Sequence, residues 1–364
     1  MGTFFSTSTL GLFAGALAGG RLADSFGRKR VLVASVLLFG LCSLLTAAAH
    51  DIGALSWARL FTGAGLGGVL PNLLALVNES SAPQRRSASV ALVYSAMPFG
   101  GAVASLVSMV SAPAHWRLIF LAGGAIPVIL APVLMAVLRE SPEFERAASA
   151  SPKKGRFVAV FADGRAIPTL LLWLSSFLEL LILYLLLSWL PTLLVASGFS
   201  KAEAAGVQIA FNVGGAIAAL SIGRLLEGKA RNLSIITACV AAPVFVLLLS
   251  SIPAQLSWVI VTVFALGGSV LAVQGFLYAT APRCYPTLIR GMALGTAVAM
   301  GRLGSIVGPK LGGTLRAAGH SSSQLLMDIV PIVLAGSATA LVFAWLTVRV
   351  GHAQREPLRP NPPA

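Results

Sequence analysis

The 364-residue sequence has very few charged residues, since Asp, Glu, Lys and Arg together make up only 10% of it. Soluble domains carry about 25% charged residues, so a soluble fold of this composition could not cover its surface with charge. Hydrophobic residues account for 57%, which excludes intrinsic disorder. Apolar runs of about 20 residues recur, and each is long enough as a helix to cross ~30 Å of hydrocarbon. The composition therefore predicts an all-α polytopic membrane protein. A barrel would instead need strands that alternate apolar and polar residues.

Metal ligands and catalytic groups are also scarce. The chain contains only three cysteines and four histidines, and these are scattered without a CxxC or similar spacing. We therefore expect no metal site, no cofactor and no enzymatic activity, because no ligand cluster or nucleophile-base set stands out. Asp and Glu number 12 against 26 Lys and Arg, which gives a formal net charge of +14. In a soluble protein this excess would suggest nucleic acid. In a membrane protein it is explained by basic cytoplasmic loops, so we expect no nucleic-acid partner.

Eleven apolar segments are predicted to cross the membrane as helices. Their positions are residues 4–23, 31–49, 53–77, 88–110, 118–138, 167–195, 205–226, 233–252, 256–280, 291–314 and 328–349. If the loop after the first segment is cytoplasmic, 20 of the 26 basic residues face the cytoplasm and four face the other side. Cytoplasmic loops are enriched in Lys and Arg. We therefore expect this orientation in the cytoplasmic (inner) membrane, with a cytoplasmic C-terminus.

A polar stretch divides the chain into two halves. We predict an N-terminal half of five spans (1–139), a cytoplasmic linker (140–166), a C-terminal half of six spans (167–350) and a cytoplasmic tail (351–364). The halves repeat one another: Gly20-Arg21-Leu22-Ala23-Asp24 matches Gly223-Arg224-Leu225-Leu226-Glu227 at an offset of 203. Parallel repeats of this size are typical of one large class of transporters. At this offset the first span of the second half has no counterpart, so we expect a twelve-span protein that lacks its first helix.

Five segments carry a resemblance to a known family. The first loop reads Gly-Arg-Leu-Ala-Asp-Ser-Phe-Gly-Arg-Lys-Arg from Gly20, and it resembles the G-x-L-a-D-r-x-G-R-[RK] loop of the major facilitator superfamily. Arg59, Gly63 and Gly65 are similar to the R-x-x-x-G-x-G signature of that superfamily. The segments 67–72, 189–193 and 301–309 resemble the aromatic acid/proton symporter branch, and the chain is most similar to its 3-(3-hydroxyphenyl)propionate carriers.

This resemblance implies a two-halved helical transporter that works by alternating access. It implies proton-coupled uptake of an aromatic carboxylate, such as 3-hydroxyphenylpropionate or hydroxybenzoate, by a monomer in the lipid bilayer. Gly20, Asp24, Gly27 and Arg28 of the first loop would take part in conformational gating. Two alternatives within transport are a symporter of another organic acid and a drug/proton antiporter. An alternative of another class is a truncated fragment that does not transport.

Glycines recur at every fourth position in two spans. Gly11, Gly15 and Gly19 share one face of the first span, and Gly304, Gly308 and Gly312 share one face of the tenth. Such faces let helix backbones approach closely. The resemblance implies that these two helices pack across the interface between the halves, whereas the alternative is packing within one half. Pro309 falls inside the tenth span, where it can bend the helix. We therefore expect Gly304, Gly308 and Pro309 to contribute to gating.

Ionisable residues inside the spans need a partner or a water-filled cavity. Arg302 lies 12 residues beyond Arg290, which at 1.5 Å per residue is ~18 Å and close to the bilayer midplane. Glu179 lies at a similar depth, and Arg59 is shallower. We expect Arg302 to bind the substrate carboxylate, because its planar fork matches that anion. Glu179 would carry the proton, unless the two residues form a static pair. The resemblance links Arg59 to proton coupling.

Other polar side chains lie on apolar spans and could hydrogen-bond a phenolic ring. They are Asn72, Tyr94, Tyr184, Asn212, Gln274 and Tyr278. We expect them to contribute to substrate binding, with interhelical hydrogen bonds as the alternative use.

Overall fold

The computed structural model describes residues 2–110, 116–141, 144, 157–226, 228, 231–251 and 255–353. These residues form eleven long helices and no strands. The helices are α1 (Gly2–Phe26), α2 (Arg28–Ala48), α3 (Ile52–Ser80), α4 (Arg86–Val110), α5 (Trp116–Val137), α6 (Ala166–Ala196), α7 (Lys201–Leu225), α8 (Arg231–Ser251), α9 (Leu256–Thr280), α10 (Thr287–Ala317) and α11 (Ser322–Ala353). Each predicted span falls on one of these helices. Most of the linker and the end of the tail lie outside the described residues.

The helices suit a lipid environment. Among the described residues, ten helices, α2 to α11, are long and apolar enough to cross a membrane. Several contain an internal proline, as at Pro71 and Pro309, which membrane helices tolerate because neighbouring helices satisfy the freed backbone groups. Between α1 and α2 the chain turns at Gly27, whose φ of 99° is a conformation that glycine adopts without strain. Helices α1 and α2 meet at one end of the bundle, and this end is named the Arg28 end.

The two halves pack by the same scheme. In the first half, α1 and α2 pack on α3; in the second, α7 and α8 pack on α9. The halves meet mainly through two pairs, α1 with α10 and α4 with α7. The offset of 203 residues maps α1 onto α7 and α4 onto α10. The internal repeat therefore relates the contact of α1 with α10 to the contact of α7 with α4.

The glycine faces pack within each half, so the expectation that they pack across the interface is wrong. A Cβ added to Gly11 or Gly15 would overlap the backbone carbonyl of Leu60 or Ala64 in α3. The glycine face of α10 also packs within its own half. Gly304 and Gly308 lie against the backbone of α6, and Gly312 lies against the Trp189 side chain of the same helix. Glycine faces mark the closest backbone approach, and here that approach joins helices of the same half.

A neighbouring face of α1 makes the contact between the halves. A Cβ at Gly20 would overlap the carbonyl oxygen of Gly291, and one at Gly295 would lie 2.6 Å from the carbonyl oxygen of Ala16. Helices α1 and α10 therefore do meet across the interface, as the resemblance implies. They do so through these small residues, at the half of α1 nearer the Arg28 end.

Candidate functional site

A cationic side chain lies buried where helices of both halves converge. Arg302 of α10 is 5% exposed, and its Nη1 donates a hydrogen bond of 2.9 Å to the hydroxyl of Tyr184 in α6. Its Nε is buried without a hydrogen-bond partner. In the part of the chain that the structure describes, no carboxylate forms an ion pair with this guanidinium. Arg302 is therefore bonded to a neutral group and retains unused donors.

Three tyrosines surround this guanidinium. Tyr94 of α4 and Tyr278 of α9 are almost fully buried, and their rings meet edge to face at a centroid distance of 5.2 Å. Both lie within electrostatic reach of Arg302, as does Tyr184. Because α4 belongs to the first half and the other helices to the second, the group lies between the halves. The structure thus brings together four residues that the sequence singled out separately.

Amide side chains with unused hydrogen-bonding groups lie on the neighbouring helices. Gln274 lies one turn before Tyr278 on α9, close enough for its amide to interact with the Tyr278 hydroxyl, and neither of its buried amide atoms has a partner at full hydrogen-bond geometry. Both amide atoms of Gln208 of α7, which was not predicted, are also buried without a partner. Asn212, one turn further, donates to the Gln208 carbonyl at 3.0 Å and lies against Gly101 of α4, at the contact between the halves. A second polar residue four positions before Asn212 is the signal that could have pointed to Gln208.

Asn72 forms an interhelical hydrogen bond, which was the alternative to substrate binding. Its side chain is fully buried, and its Nδ2 donates to the carbonyls of Gly68 at 2.7 Å and Gly19 at 3.2 Å. The second bond joins α3 to α1. We therefore leave Asn72 out of the candidate binding site.

Glu179 and Arg302 do not form a static pair, so that alternative is wrong. Glu179 and Tyr184 are five residues apart on α6, which at 3.6 residues per turn places them about 140° apart around the helix. Tyr184 faces Arg302, whereas Glu179 faces α11. Arg59 lies elsewhere, near the start of α3, with its guanidinium 5.4 Å from the ring centroid of Phe120. The two candidate proton-coupling residues are thus separate from each other and from Arg302.

A charge network joins the halves at the Arg28 end. The carboxylate of Asp24 accepts hydrogen bonds from the backbone N–H groups of Gly291 at 3.2 Å and Met292 at 2.8 Å, near the start of α10. It also pairs with Arg28 at 3.0 Å. The acid at the end of α1 therefore interacts with the first turns of a helix in the other half, where the helix dipole favours negative charge.

Glu79, at the end of α3, lies at the centre of this network. It is 4% exposed and pairs with Arg28 at 3.3 Å and with Arg290 of α10 at 3.1 Å. It also accepts a hydrogen bond from the hydroxyl of Ser141. Glu79 was not among the residues predicted from the sequence. The available signal was an acid close to the end of an apolar helix, at the same side of the membrane as the Asp24 loop.

The loop at Gly27 is held by Glu140, the first residue of the linker. Glu140 accepts backbone hydrogen bonds from Arg28 at 2.8 Å and Lys29 at 3.1 Å. This carboxylate satisfies N–H groups that the start of α2 would otherwise leave unpaired. A Cβ at Gly27 would displace the same carboxylate, and the φ of 99° is a conformation that other residues rarely adopt.

Helices α6 and α10 are joined along most of their length. Gly304 and Gly308 permit close backbone approach, and further along the Trp189 Nε1 donates to the Pro309 carbonyl at 2.9 Å. On α6, Tyr184 lies between these contacts, and on α10 Arg302 lies just before Gly304. A displacement of α6 would therefore be transmitted to the guanidinium of Arg302.

Comparison with known proteins establishes the family. Residues 1–309 match the sequence profile of the Major Facilitator Superfamily. The chain belongs to this superfamily. It is 40% identical over 360 residues to a 3-(3-hydroxy-phenyl)propionate transporter of Escherichia coli K12, covering 99% of this chain and 86% of the relative. It is 32% identical to a gallate transporter of Pseudomonas putida, with 87% and 77% covered. A 4-hydroxybenzoate transporter of Pseudomonas aeruginosa is 31% identical, with 94% and 83% covered.

Solved structures of the superfamily share the fold. The proton:xylose symporter XylE matches with a TM-score of 0.76 at 18% identity, covering 95% of this chain and 85% of that one. The human organic anion transporter MFSD10 matches with a TM-score of 0.74 at 18% identity, with 93% and 82% covered.

Membership settles the general class of the protein. As a member of the Major Facilitator Superfamily, it is a multi-pass membrane transporter and not an enzyme. Transporters of this kind need no cofactor and use an ion gradient. Among the described residues, no group of three or more His, Cys, Asp or Glu side chains could hold a metal ion.

Proposed function

We propose that the protein imports an aromatic carboxylate across the cytoplasmic membrane, coupled to protons, by alternating access. Three relatives are named as transporters of 3-(3-hydroxyphenyl)propionate, gallate and 4-hydroxybenzoate. Each of these compounds combines a ring hydroxyl with a carboxylate. The observation that carries the proposal is the buried guanidinium of Arg302, which is bonded to the hydroxyl of Tyr184 and to no described carboxylate.

An organic anion would complete this site. A buried charge without a counter-ion is unfavourable, and the planar guanidinium can bind a carboxylate through two parallel hydrogen bonds. Tyr94 and Tyr278 offer ring edges and faces to an aromatic substrate. Gln274 and Asn212 lie on the adjoining helices and supply hydrogen-bonding groups of the kind that a ring hydroxyl requires.

The charge network at the Arg28 end is our candidate for the gate. The distribution of basic residues supports a cytoplasmic location of this end and of the C-terminus. Asp24 accepts a hydrogen bond from the backbone of α10, and Glu79 pairs with Arg290 of α10. These contacts hold the two halves together on that side. Opening toward the cytoplasm would require these bonds to break. Gly20 permits the close contact beside them, and Gly27 sets the turn that presents Arg28.

Proton coupling requires a group that changes protonation state. Arg59 stays protonated, since a guanidinium does not lose its proton in proteins. Arg59 could act only through its field or its contact with Phe120. Glu179 can bind and release a proton, and it is the candidate developed below.

Competition for uptake distinguishes this function from its rivals. The purified protein in liposomes, with a more acidic exterior, should accumulate labelled 3-(3-hydroxyphenyl)propionate. Unlabelled 4-hydroxybenzoate should compete, whereas the neutral amide of the substrate should not, because it lacks the charge that Arg302 would bind. Competition by aliphatic acids alone would favour a carrier of another organic acid. Drug export driven by the same gradient would favour an antiporter.

The same preparation addresses the remaining alternatives. A folded protein that transports none of these compounds would contradict the proposed function and favour a non-transporting fragment. We also propose that the working unit is a monomer. Its mass in detergent, corrected for bound detergent, should be close to 37.5 kDa.

A further inference from the structure

The carboxyl group of Glu179 lies inside the second half, against the backbone of another helix. The residue is 3% exposed. Helix α11 presents Gly336 to it, and a Cβ placed on Gly336 would lie 3.3 Å from Oε1 of Glu179. The glycine therefore leaves room for the carboxyl group between α6 and α11. Within the described residues, Glu179 forms no ion pair and no hydrogen bond.

Two serines on the helices that contain this contact have buried hydroxyl groups without a hydrogen-bond partner. Ser175 lies one turn before Glu179 on α6, and residues four apart share a helix face. Ser337 follows Gly336 on α11. Because buried polar groups are normally paired, these hydroxyls mark the contact between α6 and α11 as a polar site with unused capacity.

No described cation neutralises Glu179. Titratable groups of the described residues that lie within electrostatic reach of Glu179 include Cys239 of α8 and Tyr94 of α4. Arg302 of α10 faces Tyr184, on a different side of α6. An ionised carboxylate in these surroundings is unfavourable unless water or the two serine hydroxyls reach it. The site is therefore suited to a carboxyl group that gains and loses one proton.

We propose that Glu179 is the proton-binding residue, and that its carboxyl group lies between α6 and α11 without direct contact to Arg302, with Tyr94 of the substrate site within electrostatic reach of both. This inference rests on the proposed function. The carboxylate takes up one proton from the exterior and becomes neutral, which permits close packing against Gly336. Release of the proton to the cytoplasm restores the charge, which attracts the hydroxyls of Ser175 and Ser337.

Helix α6 connects the two sites. It carries Glu179 on the face toward α11 and Tyr184, bonded to Arg302, about 140° around the same helix. A change in the contact of α6 with α11 therefore moves the Tyr184 hydroxyl relative to the guanidinium. In this arrangement the proton and the anion are coupled through a helix rather than by direct contact. The coupling is reciprocal, so proton binding and anion binding favour each other equally.

Two transport assays on one variant test this assignment. In liposomes, Glu179→Gln keeps the neutral shape of the protonated residue but cannot bind a proton. We expect accumulation of the labelled acid under a pH gradient to fall by at least ~10-fold, within the range of typical coupling strengths. Counterflow exchanges internal unlabelled acid for external labelled acid without a gradient. This exchange should persist, with an apparent affinity within about twofold of wild type, because Arg302 and Tyr184 are intact.

Each other result has a defined meaning. Gradient-driven accumulation that persists in Glu179→Gln would overturn the assignment. Loss of both activities in a variant that remains folded would overturn the separation of the two sites. A wild-type protein without counterflow would instead contradict the proposed function.

A glycine substitution and a matched control strengthen the test. Gly336→Ala places a methyl group against the carboxyl group, so we expect the pH dependence of uptake to shift while counterflow is retained. An unchanged pH profile would argue against proton binding at this contact. Glu203→Gln is the control: Glu203 is exposed at the start of α7 and forms a capping box with Ser200, and glutamine can replace glutamate in such a box. Its coupling should equal that of wild type.

Discussion

Arg290 and Glu79 form an ion pair of 3.1 Å that joins the two halves of the transporter. Both side chains are largely buried, and Glu79 also holds Arg28 of its own half. Breaking one partner of a buried, hydrogen-bonded charge pair costs about 3–5 kcal/mol, mainly because the other charge is left uncompensated. This pair is therefore a point at which a small chemical change should alter the balance between conformations.

Glu79→Gln should separate the halves at the Arg28 end. The neutral amide can accept only weak hydrogen bonds from Arg28 and Arg290. The conformation that is closed at the Arg28 end therefore loses stability relative to the open one. Spin labels at the exposed positions Gln84 and Arg224, one in each half, would report this as a longer distance. Glu203→Gln, at the opposite end of the bundle, should leave the distance distribution unchanged. An unaltered distribution in Glu79→Gln would show that this pair does not hold the gate.

Gly304→Ala should destabilise the fold rather than alter gating. Its Cβ would overlap the Phe177 carbonyl group and lie 3.0 Å from the Leu181 nitrogen, both in α6 of the same half. Overpacking of this kind costs about 1–3 kcal/mol. We expect a lower unfolding temperature in detergent and an unchanged spin-label distance between the halves. Gly206→Ala is the control, because nothing lies within 4 Å of the added methyl group. A longer spin-label distance between the halves, at an unchanged unfolding temperature, would support a gating role for the glycine face of α10.

The orientation in the membrane makes a separate prediction. With 20 basic residues on one side, the linker between the halves should be cytoplasmic. A reporter enzyme that is active only outside the cytoplasmic membrane, fused at Pro152, should be inactive. The same reporter in the loop at Gly198, between α6 and α7, should be active. The reverse pattern would invert the proposed direction of every site described above.

The helices were predictable because lipid imposes a simple rule. A span needs about 20 apolar residues, and that length is visible in one dimension. Polar side chains on apolar spans are visible in the same way, so Arg302, Tyr184 and Tyr278 stood out individually. Their mutual contacts did not, since Tyr184 and Arg302 are 118 residues apart in sequence. Only packing of the helices brings them together.

Direction around a helix was the main source of error. Depth follows from the rise per residue, so the sequence predicts similar depths for Glu179 and Arg302, but it could not show that their side chains face apart. The stripe of Gly11, Gly15 and Gly19 likewise predicts a close approach without naming the partner. Glu79 was not predicted because its role depends on its ion pair with Arg290, which lies 211 residues away in sequence.

Replacement of Arg302 by lysine tests most directly whether this residue binds the substrate carboxylate. Lysine keeps the positive charge but offers a single point contact in place of a planar fork. Hydrogen bonds to charged groups contribute about 1.5–3 kcal/mol, so uptake of labelled 3-(3-hydroxyphenyl)propionate at low concentration should fall by roughly 10-fold to 100-fold. Arg316→Lys is the matched control, because Arg316 contacts the His320 carbonyl at the opposite end of the bundle. Uptake by Arg302→Lys equal to that of wild type and of Arg316→Lys would contradict a carboxylate site at Arg302.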